Sequence, residues 1–150
     1  MFSGIWTGSA LSFRRQPTMQ NGAGMRDWKP PSYPSVSPYL ICPEPERVIY
    51  FLIAVFGASL LRRFDRPDGS LMHGEVRIDD SIVMIGGGAT DYLSAEVHLH
   101  VYVADAQAVY DRAMAAGAEA VQPPIRKAAD DDLRGGFRDP AGHLWWVATQ

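Results

Sequence analysis

Glu44-Pro-Glu-Arg-Val-Ile-Tyr-Phe-Leu-Ile-Ala-Val-Phe-Gly57-Ala58 decides the fold, because Asp105-Ala-Gln-Ala-Val-Tyr-Asp-Arg-Ala-Met-Ala-Ala-Gly117-Ala118 repeats its plan. In the first segment Val48, Phe51, Leu52 and Val55 fall at the i, i+3, i+4, i+7 spacing of a helix over 44–56. Gly57 stands where a left-handed C-terminal cap belongs. In the second, Asp105 is the N-cap, Ala106, Val109, Tyr110, Ala113 and Met114 form the apolar stripe, and Gly117 ends the helix. Each helix is preceded by a short β-type run, Val36–Cys42 and Val97–Val103. Three more strands follow the first helix, Ala58–Phe64, Leu71–Ile78 and Ser81–Ile85, separated by the turns Arg66-Pro-Asp-Gly69 and Asp79-Asp80. Three follow the second, Glu119–Gln122, Gly136–Asp139 and His143–Thr149, with Pro140-Ala-Gly142 as a turn. The chain therefore reads as two copies of one βαβββ unit, an α+β fold. Gly86-Gly87-Gly88 begins the connection between the copies. It is not a phosphate loop, since no helix and no Lys-Ser/Thr pair follows.

The 150 residues suit one domain, and 47% hydrophobic with 21% charged residues is ordinary for a globular chain. A formal charge of −3 argues against nucleic acid as a partner. Asp130-Asp131-Asp132 is a solvated loop. The single cysteine, Cys42, lies mid-strand and excludes an internal disulfide, and a cytoplasmic protein is expected. Val48–Leu61 is the most apolar run, yet at 14 residues with an internal glycine it falls short of the roughly 20 needed to span a bilayer. No membrane partner is expected. Residues 1–25 carry no sustained period and read as a disordered leader, with a single domain over 26–150. Its first module covers about 36–86 and its second about 97–150. The first helix is apolar beyond one stripe, through Ile49, Tyr50, Ile53 and Phe56, so a dimer partner or part of the leader is expected to cover its outer side.

Tyr39-Leu-Ile-Cys42, Tyr50-Phe51, Phe56-Gly-Ala58, Tyr102-Val-Ala-Asp105, Ala116-Gly-Ala118 and Arg138-Asp-Pro-Ala-Gly-His-Leu-Trp145 occur in that order. As an ordered set this resembles the vicinal oxygen chelate superfamily of glyoxalases, bleomycin-resistance proteins and extradiol dioxygenases. With the Trp28-Lys-Pro-Pro31 lead-in, it is most similar to the PhnB-like, glyoxalase-like-domain branch. The resemblance implies eight strands in an incomplete barrel, a cup with the helices outside. It also implies a ligand site on the concave face, and commonly a homodimer.

Metal-dependent members carry His and Glu ligands at four positions, which by resemblance fall here on Ser37, on Met84 or its neighbour, on His98 and on Trp146. Of these, only His98 is a ligand type for a hard divalent ion. A different set is open: His98 and His100 share a strand face about 7 Å apart, and His73, Glu75 and Arg77 share another. If both faces meet in the cup, His98, His100 and Glu75 make a two-histidine, one-carboxylate site. Without a metal, the cup would carry Tyr39, His98, His100, Tyr102 and Trp146, aromatic surface with polar tips suited to an aromatic or cationic small molecule. The leading expectation is a metal-free small-molecule-binding protein that needs no cofactor. A metal-dependent lyase, isomerase or ring-cleaving dioxygenase is the alternative, and a structural module with a filled cup is a third.

Overall fold

Two four-stranded sheets, each with one helix on one face, make up the fold of this computed structural model, which describes residues 28–87 and 94–150. Pro31–Gln150 is one compact unit. The first module runs β1 (Tyr39–Cys42), α1 (Pro45–Phe56), β2 (Ser59–Asp65), β3 (Leu71–Ile78) and β4 (Ser81–Gly87). The second runs β5 (His98–Tyr102), α2 (Ala106–Ala115), β6 (Glu119–Ile125), β7 (Leu133–Arg138) and β8 (Leu144–Thr149). The sheets have matching orders, β1-β4-β3-β2 and β5-β8-β7-β6, with the first strand of each module parallel to its last. The expected pair of βαβββ units is what forms.

The local signals act as their chemistry dictates. Gly57 takes φ 65° and returns its N–H to the Ile53 carbonyl. The Asp105 carboxylate accepts from Ala108 N at 2.9 Å, capping α2. In the β2–β3 hairpin Gly69 takes φ 83°, and Asp68 accepts from Ser70 N.

Three strands extend by two residues or more past the expected boundaries. β4 continues through Gly86 and Gly87, so the glycine triplet starts as strand; Gly88 lies outside the described residues, as does the leader to Asp27. The two glycines are there for close approach: a Cβ on Gly86 would meet the Tyr39 hydroxyl at 2.6 Å, and one on Gly87 the Cys42 carbonyl at 2.4 Å. β6 continues through Pro123 and Pro124, which an edge strand tolerates because its outer N–H groups have no partner; the register breaks there. β7 starts at Leu133, inside a stretch that reads as polar loop.

One core joins the modules. From the first sheet come Leu40, Val76 and Ile85, from α1 Val48, Leu52 and Val55, and from the second sheet Phe137, Trp145 and Val147, all fully buried. Burying each such side chain contributes roughly 1.5–3 kcal/mol. The second module covers part of the apolar surface of α1. Phe51 packs on Phe137 at 6.0 Å between ring centroids, Phe56 on Trp145 at 5.3 Å, and Arg112 Nε donates to the Val55 carbonyl at 2.8 Å. On α1, Tyr50 and Ile53 stay exposed. Both sheets thus turn their helix-bearing sides to a common core, and their other faces stay open rather than closing on each other within the chain.

Candidate functional site

The open face of the second sheet is built by strand alternation. Leu99 and Val101 turn toward the helices, leaving His98, His100 and Tyr102 on the other side of β5. Register then fixes their neighbours: His100 lies beside Trp146 of β8, which lies beside Gly136 of β7. Gly136 has no side chain, so the Trp146 indole lies across it; a Cβ there would stand 2.6 Å from Cζ3. The rings of His100 and Tyr102 meet edge to face at 4.8 Å, and Tyr102 Oη donates to Asp132 at 3.0 Å, which raises the phenol pKa above its usual value. A cavity of about 260 Å³ opens on this face, with His100 and Trp146 against Gln122, Ile125, Lys127 and Arg134.

Of the five expected ligand-binding residues, His100 and Trp146 line this cavity, and Tyr102 and His98 stand beside it on β5. His98 Nε2 pairs with Glu96 at 3.0 Å. The hydrogen bond from His98, and then that from Arg138, holds the Glu96 carboxyl below the usual range. Tyr39 is elsewhere: it lies on the open face of the first sheet, beside Met84. Ile125, Lys127 and Arg134 escape the sequence reading because the end of β6 and the start of β7 fall where it places a loop. The alternation Arg134, Gly136, Arg138 is the signal that finds Arg134.

The first sheet's open face carries a hydrogen-bonded chain. Tyr39 Oη is 2.9 Å from His73 Nδ1, and His73 Nε2 is 3.1 Å from Glu75 Oε1. Tyr33 Oη donates to Glu75 Oε2, and the Arg62 guanidinium stands 3.8 Å from the same oxygen. Glu75 is buried, at 5% exposure. Burial alone would raise its pKa, but the bonds from Tyr33 and His73 and the charge of Arg62 outweigh it and hold the carboxyl below the usual range.

The matched family is named for glyoxalase, bleomycin resistance protein and dioxygenase, and its model covers residues 35–147. The chain belongs to that superfamily. An uncharacterised protein of Mycobacterium bovis is 34% identical over 123 residues, 75% of this chain and 80% of the relative. Among solved structures, TioX from Micromonospora sp. ML1 is similar at 29% identity and TM-score 0.62, covering 74% of this chain and 94% of that one. A mutant of the fosfomycin resistance protein FosX from Listeria monocytogenes, complexed with Mn(II) and 1S,2S-dihydroxypropylphosphonic acid, shares the fold. Its identity is 18% and its TM-score 0.56, over 75% of this chain and 86% of that one.

At the positions that the resemblance gives to metal ligands, Ser37, Met84 and Trp146 supply no imidazole or carboxylate beside His98. The second set is divided between the sheets of one chain: both Glu75 oxygens are bonded on the first sheet, while His98 and His100 lie on the second. Among the described residues, no three His, Cys, Asp or Glu side chains stand close enough to hold a metal ion. Nor is any described helix long and apolar enough to cross a membrane.

Proposed function

We propose that this superfamily member is a small-molecule-binding protein that holds an aromatic compound against Trp146 and His100 without the help of a metal. The observation that carries the reading is the indole of Trp146 lying over Gly136 in an open cavity with polar groups at its edge. A flat ring stacked there keeps apolar contact on one side, while Gln122 and Arg134 offer directional bonds. The Asp131 and Asp132 carboxylates at the rim suit a cationic substituent.

The test is calorimetric titration with an aromatic cation, N-methylacridinium, and a neutral ring system of similar size, 9-anthracenemethanol. Wild type should bind at least one of them, and Trp146→Ala should weaken that binding roughly tenfold, a loss of about 1.4 kcal/mol. Equal affinity in Trp146→Ala would refute the reading.

A second copy of the chain is part of the same reading, because each open face lacks a facing wall. Leu60, Leu61 and Phe64 of β2, with Met72, leave apolar surface exposed at the edge of the first sheet. Sedimentation should give twice the chain mass; a monomer at all concentrations would remove this part. The PhnB-like lead-in and a cytoplasmic setting for the lone buried thiol complete the proposal.

A further inference from the structure

The chain Tyr39–His73–Glu75 has the order hydroxyl, imidazole, carboxylate, and its directions follow from what each group can donate. Glu75 is ionised and accepts only, from Tyr33 on one oxygen and His73 on the other. In the neutral imidazole of His73, Nε2 then carries the proton, and Nδ1 presents a lone pair. Tyr39 Oη must then donate to Nδ1 at 2.9 Å. The groups are held from several elements: Tyr39 from β1, His73 and Glu75 from β3, Arg62 and Phe64 from β2, and Tyr33 from the segment before β1. Gly86 of β4 leaves the space that brings the phenol to the imidazole. Arg62 also lies over the Tyr33 ring at 5.1 Å, and Arg77 bonds the Ser32 carbonyl, which fixes that segment over Glu75. At its open end the chain is solvent-accessible, with Tyr39 half exposed. Phe64, its ring 5.9 Å from that of His73, is the apolar flank.

We propose that Tyr39, His73 and Glu75 form a proton-abstracting site that accepts a weakly acidic C–H or O–H from a planar aromatic substrate. The Tyr39 oxygen takes the substrate proton as its own proton passes to His73 Nδ1. The bonding pair left behind stays on the substrate, and Glu75 stabilises the imidazolium. The proton then leaves to water as the product departs. This site is on the other sheet from Trp146, so it stands or falls apart from the binding site proposed above.

The probe is 5-nitrobenzisoxazole, whose elimination needs a base and no co-reactant. Loss of the ring C–H proton places that pair in the nitrile, and the N–O bond breaks to release a coloured phenolate. With the full chain, Tyr39→Phe and His73→Gln should each lower kcat/KM at least tenfold, while Tyr50→Phe, an exposed phenol on α1, should leave it unchanged. Rates within twofold of wild type in Tyr39→Phe or His73→Gln overturn the proposal. Long-range proton–nitrogen spectra give a second reading that survives a damaged variant: His73 in wild type should be protonated at Nε2. A proton on Nδ1 instead would also overturn it.

Discussion

The Trp145 indole donates from Nε1 to Asp139 Oδ2 at 2.9 Å, joining the turn before β8 to the centre of the core. The other oxygen of the carboxylate accepts from Ala141 N at 2.8 Å and His143 N at 3.0 Å. Asp139 is buried, and this one side chain both shapes the Pro140–Gly142 turn and orients the largest fully buried ring.

Asp139→Ala should therefore cost far more than a surface carboxylate. Three donors lose a charged acceptor, and the Trp145 N–H is left buried without a partner. Each such bond contributes about 1.5–3 kcal/mol, so a loss of at least roughly 3 kcal/mol is expected in urea unfolding. A loss under about 1 kcal/mol would show that water replaces the carboxylate.

Cys42 should be silent toward thiol reagents in the native protein. Burial, with the nearby Asp139 charge adding to it, pushes the thiol up to about 11, so almost no thiolate exists at neutral pH. Ellman's reagent should give no signal at pH 7.5 in buffer and one equivalent in guanidinium, since the chain has one cysteine. Rapid reaction of the folded protein would contradict this.

Much of the fold is legible in the sequence because periodicity and turn chemistry agree in both halves: the α1 stripe, the caps at Gly57 and Asp105, and the hairpin glycine at Gly69 all act locally. The failures are long-range. That Gly86 and Gly87 belong to β4 depends on what approaches them, the Tyr39 ring and the Cys42–Pro45 backbone and ring, which no local pattern announces. Pro123 and Pro124 read as a break because their edge position is a property of the sheet order. At the site, alternation places His98, His100 and Tyr102 on one face. It is silent on which residues of the facing elements meet them, so the sequence reading groups Tyr39 with side chains from the other sheet. The bond from Tyr33 to Glu75 spans 42 positions and leaves no sequence signal. Also outside sequence reach is His143, fully buried with both ring nitrogens unpartnered among the described residues.

Glu75 should leave its mark on stability in acid. Its pKa is depressed in the folded chain below the usual value near 4.5, so it contributes stability that is fully present above that pH. The contribution is lost as pH falls through the folded value, below 4.5. Glu75→Gln has no such titration, so the stability gap between wild type and variant should shrink from pH 4.5 to 3. A gap that stays constant down to pH 3 would mean that the carboxylate gains nothing from Tyr33, His73 and Arg62.

Two glycine substitutions separate space from backbone conformation. At Gly136 an added Cβ would stand 2.6 Å from Cζ3 and 2.7 Å from Cε3 of Trp146, so the indole must swing off the sheet. The φ of Gly136 is outside the left-handed region, and Gly136→Ala leaves the backbone unstrained. At Gly69 the reverse holds: nothing lies within 4 Å of an added Cβ, but φ is 83°. Gly69→Ala should cost roughly 1 kcal/mol of stability and leave ligand affinity unchanged. Gly136→Ala should weaken N-methylacridinium or 9-anthracenemethanol binding roughly tenfold, whichever wild type binds, matching Trp146→Ala, and should alter the near-ultraviolet circular dichroism of the tryptophans. Calorimetry on the two variants decides it. If both bind like wild type, the position of the indole over Gly136 does not set the ligand site.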